Sequence, residues 1–179
     1  YPDLPIILLV RNPFATIESW MRAKWPYDIP KKRILEQADV LSPFLPQRVL
    51  EIYAAADTQL SNHLFNWCIN YYVPLMNAQK NHIHVTVYEN YITNPENEIK
   101  KLFNYLNTPF NDKVLNVCHQ LSRTTRSDSP LKSGDNVLTA WRKKFTETEI
   151  NEGIKILSMF GFDTLYDYDT GLPKEIFIT

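Results

Sequence analysis

An arginine and a serine eight positions apart, Arg11 and Ser19, are the first residues whose types and spacing could do chemistry. Arginine offers a planar fork of donors that fits phosphate or carboxylate, and serine adds a hydroxyl. A second set lies late in the chain. Arg123, Arg126, Lys132 and Ser133 stand among further hydroxyls, and Gly134 closes the run. Charged donors, hydroxyls and a glycine that permits close backbone approach suit a phosphate group. Each set also has an ordinary reading: a solvated or salt-bridged arginine, an exposed helical serine, a solvated basic loop. His63 lies one position off an apolar stripe and reads as a surface or packing residue rather than a base. No His, Cys or carboxylate cluster has metal-ligand spacing, so no metal is expected.

The elements that must position these groups follow from pattern. Leu4 to Val10 is almost unbroken apolar sequence, which predicts a strand buried on both faces, as in a parallel sheet. Asn12 is a good helix N-cap and Pro13 suits the first helical position, so a helix continues through Arg22. Arg11 thus falls at the carboxyl end of a strand and beside a helix N-terminus, where anions bind in open α/β sheets. Lys24 to Gln47 reads as loop, with a short helix over Lys32 to Val40; Trp20, Trp25 and Tyr27 are packed aromatics or pocket walls. Pro46 to Lys80 is the longest helical pattern, with Leu60, Leu64, Trp67, Cys68, Tyr71 and Leu75 as its stripe and Pro74 expected to kink or end it. Ile83 to Tyr88 alternates and is β-branched, which predicts a second parallel strand.

Asn94 and Pro95 then open a helix whose stripe is Ile99, Leu102, Phe103 and Leu106. Asn111 to Leu121 is another helical stretch, and Arg123 to Gly134 reads as a surface loop. Thr146 and Glu149 form a capping box ahead of a last helix that Gly161 stops. Asp163 to Thr179 reads as a tail on the surface.

The chain has 179 residues, enough for one domain with a real core. A net charge of −1 gives no global basic field, so nucleic acid is not an expected partner and any anion site must be local. Cys68 and Cys118 sit in apolar helical patterns and read as core residues rather than a disulfide. No apolar run reaches the length of a membrane span and no signal peptide is legible, which leans towards the cytoplasm.

The strand–turn–helix at Arg11 resembles the sulfotransferase family, in which an Arg-(Asp/Asn)-Pro turn is followed by a serine eight residues after the arginine. A second match is YENYITNPENEIKKLFNYLNTPF, from Tyr88 to Phe110, and the late run ending at Lys132 and Gly134 is a third. Ser133 departs from the basic residue commoner there. The pair Gly161-Phe162 after a Trp and a helix is similar to the family's end. The resemblance implies a three-layer α/β/α fold with a parallel, P-loop NTPase-like sheet. It implies a donor, 3′-phosphoadenosine 5′-phosphosulfate (PAPS), whose 3′-phosphate is held by Arg11 and Ser19. The resemblance also implies that Tyr88, otherwise a strand-end aromatic, lies near the adenine, and that Lys132, Ser133 and Gly134 form the closing loop, with Arg123 and Arg126 as alternative contributors. Sulfuryl transfer then goes in line to a hydroxyl or amine of a small-molecule, carbohydrate or peptide acceptor.

The family's lysine- and glycine-containing 5′-phosphosulfate loop and its upstream histidine base have no counterpart in this sequence. Of the four glycines, Gly134, Gly153, Gly161 and Gly171, none belongs to a phosphate-cradling loop. The expectation is therefore a single domain, 1–179, truncated at its N-terminal side, partial in fold and without its catalytic residues. A catalytically inactive nucleotide-binding module, a magnesium-dependent kinase relative and a purely structural domain remain open beside the enzyme.

Overall fold

Strand β1 (Ile7–Val10) runs into the turn Arg11-Asn12, and helix α1 (Pro13–Arg22) begins where Pro13 needs no N–H partner. The computed structural model describes residues 4–80, 82–118 and 130–174, apart from the side chains of Val117, Cys118 and Leu131. Strand β2 (His84–Val87) pairs with β1 in parallel, Ile7 opposite His84 and Val10 opposite Val87. Among the described residues these two strands are the whole sheet.

That small sheet corrects the expectation for β1. Ile7 is 43% and Leu9 48% exposed, and only Val10 is buried. A strand gains burial on both faces only when helices cover both; here Ile7 and Leu9 lie open on one face, and among the described residues no strand pairs the outer edge of β1, where Tyr71 Oη donates to Leu9 O at 3.1 Å.

Between the strands lie α2 (Asp28–Glu36), α3 (Ala38–Leu41), α4 (Val49–Ala55) and α5 (Gln59–Met76). The expected loop over Lys24 to Gln47 is thus mostly helical. Pro30 falls in the first turn of α2, where a missing N–H costs nothing. The long helix expected from Pro46 is two helices, because Thr58 accepts from Ser61 N–H and starts a new one. That helix passes through Pro74 to Met76, contrary to expectation. Only two residues follow the proline, and Asn70, four residues before it, is exposed so that its carbonyl is left to water.

After β2 come α6 (Tyr88–Thr93), which the sequence reading did not foresee, and α7 (Pro95–Tyr105). Asn94 stands at the N-cap of α7 but gives it no side-chain bond. Helix α8 (Leu115–Cys118) and the single turn α9 (Pro130–Ser133) flank residues outside the described set. Helix α10 (Glu147–Ser158) opens with the predicted capping box, and Gly161 adopts φ +69° beyond its end.

The core gathers where α1, α5 and α10 meet. Phe14 is fully buried, stacked on Trp141 at 5.0 Å and edge-on to Phe145 and Tyr168. Gly153 of α10 packs against the Phe14 ring and Leu64, which brings α10 close to both helices. Helix α5 is buried on all sides from Asn62 to Ile69, so its polar residues need internal partners; Asn66 accepts from Tyr53 Oη at 2.5 Å. The tail is not simply draped on the surface. Tyr166 is fully buried and Asp167 N–H donates to Leu172, while residues 175–179 lie outside the described set. Among the described residues no helix is long and apolar enough to cross a membrane.

Candidate functional site

Register builds the site. Val10 stands opposite Val87, so the next residues along each strand, Arg11 and Tyr88, come side by side, followed by Asn12 and Glu89. The Arg11 guanidinium lies over the Tyr88 ring, 4.8 Å from its centroid, a cation–π arrangement. Asn12 N–H donates to Glu89 Oε1 at 2.9 Å, and Asn12 Oδ1 accepts from Ala15 N–H at 3.2 Å to cap α1. Tyr166 Oη donates to Glu89 Oε2 at 3.2 Å. Residues 77 positions apart are thereby joined twice through one carboxylate.

Glu89 is 2% exposed. Burial pushes its carboxyl above the ordinary range; the Asn12 N–H, its own backbone, the Arg11 charge and the Tyr166 hydroxyl pull the other way. Tyr166 is pushed well up, first by burial and then by the Glu89 charge beside it.

Three polar atoms near the turn are buried without a partner among the described residues: Arg11 Nε, Asn12 Nδ2 and Thr16 Oγ1. Asn62 Oδ1, His63 Nε2 and Trp67 Nε1 inside α5 are likewise buried without a partner among the described residues, so the three atoms at the turn show unmet hydrogen-bonding capacity and do not by themselves mark a ligand site. Thr16 N–H bonds Asn12 O, placing Thr16 one turn above the cap. Ser19, three residues on, shares its helix face and is half-buried, with no hydrogen bond from its hydroxyl among the described residues. Thr16 and Asn12 Nδ2 were absent from the sequence reading. The three-residue spacing of Thr16 from Ser19 was the available signal.

The late set stands apart. Lys132 is exposed on α9, Ser133 Oγ donates to Asp135 at 2.9 Å, and Gly134 adopts φ +79° with nothing close to it. Asp135 also takes Lys143 at 2.6 Å, which holds its carboxyl below the usual range. No hydrogen bond, ion pair or ring contact joins Lys132, Ser133 or Gly134 to the Arg11 turn. Arg123 and Arg126 lie outside the described residues, as does the Cys118 side chain. Cys68 is buried with a free thiol.

His63 is a packing residue. Its ring lies between Trp20, 5.7 Å away, and Tyr27, 5.8 Å away, and burial lowers its pKa. Trp25 stacks on Trp20 at 6.1 Å and stays largely exposed. A cleft of about 680 Å³ opens beside β2, lined by His84, Thr86, Asn90, Glu98, Lys101 and Phe162 among others; Arg11, Ser19 and Tyr88 are not in its walls.

A family model described as "Sulfotransferase domain" matches residues 2–153. The chain belongs to the sulfotransferase family. No curated protein and no solved structure matches it. The matched span of this sulfotransferase domain takes in Arg11, Ser19, Tyr88, Glu89 and Lys132 to Gly134, and it ends within α10. The activity class of the family is group transfer.

Proposed function

We propose that this sulfotransferase domain binds the 3′-phosphoadenosine half of PAPS. In this reading the two strands belong to a three-layer α/β/α, P-loop NTPase-like sheet, and 1–179 is one domain. The observation that carries it is Arg11: a guanidinium held on an aromatic ring at a helix N-terminus, with no ion pair to a carboxylate among the described residues. Arg11 Nε, Asn12 Nδ2 and Thr16 Oγ1 are unused donors at the same turn, which is the chemistry a phosphate calls for.

Arg11 takes the 3′-phosphate through its fork, and Ser19 adds a hydrogen bond. Tyr88 keeps the fork in place and borders the adenine. Lys132, Ser133 and Gly134 match the family's basic loop in sequence and are assigned to the same phosphate on that ground, although no hydrogen bond, ion pair or ring contact joins them to the Arg11 turn here. When bound, PAPS supplies the sulfuryl group, which goes to a hydroxyl or amine of a small-molecule, carbohydrate or peptide acceptor. What these residues contribute is binding and orientation, the terms that dominate comparable phosphoryl transfers.

The test is calorimetry without metal, comparing adenosine 3′,5′-bisphosphate with AMP. The bisphosphate is expected to bind more tightly. Arg11→Ala removes most of that increment, since losing one partner of a desolvated charge pair costs ~2–5 kcal/mol, about 30-fold to several thousand-fold. Equal affinity for the two nucleotides in the wild type, or an unchanged increment in Arg11→Ala, overturns the reading. Binding that requires magnesium supports a kinase-type relative instead.

A further inference from the structure

We infer that Glu89 is the positioning residue of Arg11, gripping the peptide N–H that follows it while making no direct ion pair with the guanidinium. The inference rests on the reading of this turn as the 3′-phosphate site. Glu89 is buried, and a buried carboxylate beside an arginine ordinarily forms the ion pair itself. Here it does not. Oε1 is committed to Asn12 N–H at 2.9 Å and Oε2 to Tyr166 Oη at 3.2 Å. Turning the carboxylate towards the guanidinium would strain one or both of these bonds in a buried site.

The consequence for Arg11 is geometric. The Asn12 N–H belongs to the peptide link directly after Arg11, so the bond to Glu89 fixes the backbone from which the arginine side chain springs. Tyr88, the neighbour of Glu89, holds the other end by lying under the guanidinium. Two consecutive residues of α6 therefore clamp one arginine at both ends. Tyr166 ties the same carboxylate to the C-terminal segment, so that segment contributes to the site without touching its phosphate donors.

The test separates positioning from simple stability. Glu89→Gln keeps an acceptor for Asn12 N–H; Glu89→Ala does not. Tyr166→Phe removes one restraint on the carboxylate and leaves the turn alone. Removing the partner behind a ligating side chain costs about 10–100-fold in metal sites, and the same order is expected here. Glu89→Ala should lower the ratio of adenosine 3′,5′-bisphosphate to AMP affinity by about tenfold or more. Glu89→Gln should restore most of it, and Tyr166→Phe should fall between. A loss of folded protein alone would weaken both nucleotides alike and leave the ratio unchanged, which would overturn the inference. A second readout needs no nucleotide: the Asn12 amide exchange rate and the Arg11 Nε–H resonance by NMR. Glu89→Ala should speed the exchange and broaden or shift the resonance, with Glu89→Gln close to wild type. If wild type does not distinguish the nucleotides but these NMR effects hold, the phosphate reading fails and the positioning stands. If Arg11 and Asn12 are indifferent to Glu89→Ala, or if Glu89→Gln is no better than Glu89→Ala, the positioning fails.

Discussion

Gly153→Ala should destabilise the protein although it replaces glycine with the best helix former. A Cβ at Gly153 would sit 2.6 Å from Phe14 Cζ, 2.7 Å from Phe14 Cε1 and 2.9 Å from Leu64 Cδ1. Carbon atoms prefer about 3.5–4.0 Å, so the ring must retreat by about 1 Å. It has nowhere to go, because Trp141 stacks on it and Phe145 and Tyr168 meet its edges. Overpacking of this kind costs ~1–3 kcal/mol, and the pinned ring places the cost near the top of that range. Helix propensity returns ~1 kcal/mol. The net is a loss of about 2 kcal/mol, or a melting temperature lower by about 4–8 °C for a chain of this size. The assay is calorimetric melting of Gly153→Ala, Phe14→Leu and the double variant. The smaller Leu leaves room for the new methyl, so the double variant should be more stable than the sum of the singles by ~1 kcal/mol or more. A raised melting temperature in Gly153→Ala, or strict additivity, would refute the account of how α10 seats against α1.

Two further outcomes follow from local geometry and from charge. Thr146→Ala breaks the capping box, in which Thr146 Oγ1 accepts from Glu149 N–H at 3.2 Å and Glu149 Oε2 accepts from Thr146 N–H at 2.8 Å; it should cost ~1 kcal/mol in urea unfolding, and no change would mean the box is redundant. His63 has a lowered pKa in the fold, so the unfolded chain binds more protons and stability falls as pH drops below about 6.5. Urea midpoints at pH 7.5 and pH 5 should differ less in His63→Gln than in wild type, with His84, lowered mainly by burial, leaving part of the slope. An identical pH response in both proteins would show that His63 does not carry the effect.

What was legible in the sequence is what neighbouring residues decide among themselves. Asn12 caps α1 because its side chain reaches Ala15 N–H, three residues away, and the Thr146–Glu149 box is equally local. Parallel pairing of β1 with β2 was readable from two apolar strand patterns separated by helices. The errors lie where distance intervenes. Burial of β1 depends on what covers it, which its own apolar run cannot report. Tyr166 looked like part of a surface tail because its partner, Glu89, is 77 residues away. Of the candidate site, Arg11 and Ser19 were visible as types and a spacing, and Tyr88 only through the family resemblance. The unsatisfied atoms of Asn12 and Thr16 were not, since satisfaction is a property of the folded surroundings.

The case for Arg11 grows when it is set beside the other arginines. Arg22 pairs with Glu18 at 3.0 Å, Arg48 with Glu51 at 3.2 Å, and Arg142 with Glu147 and Asp169 at 3.0 and 3.1 Å. Arg33 is exposed and left to water. Arg11 alone among the described arginines is both withdrawn from solvent and without a direct ion pair to a described carboxylate. The chain is not short of acid, with 20 Asp and Glu against 19 Lys and Arg, and one buried carboxylate is next to the turn. That carboxylate is turned to the backbone and to Tyr166 instead. A half-buried cation without a counter-ion is costly to a fold unless an anion arrives to meet it. Turning Glu89 to the backbone and to Tyr166 is therefore the feature on which the proposed phosphate site rests: it leaves the Arg11 guanidinium open to an incoming anion instead of closed in an ion pair.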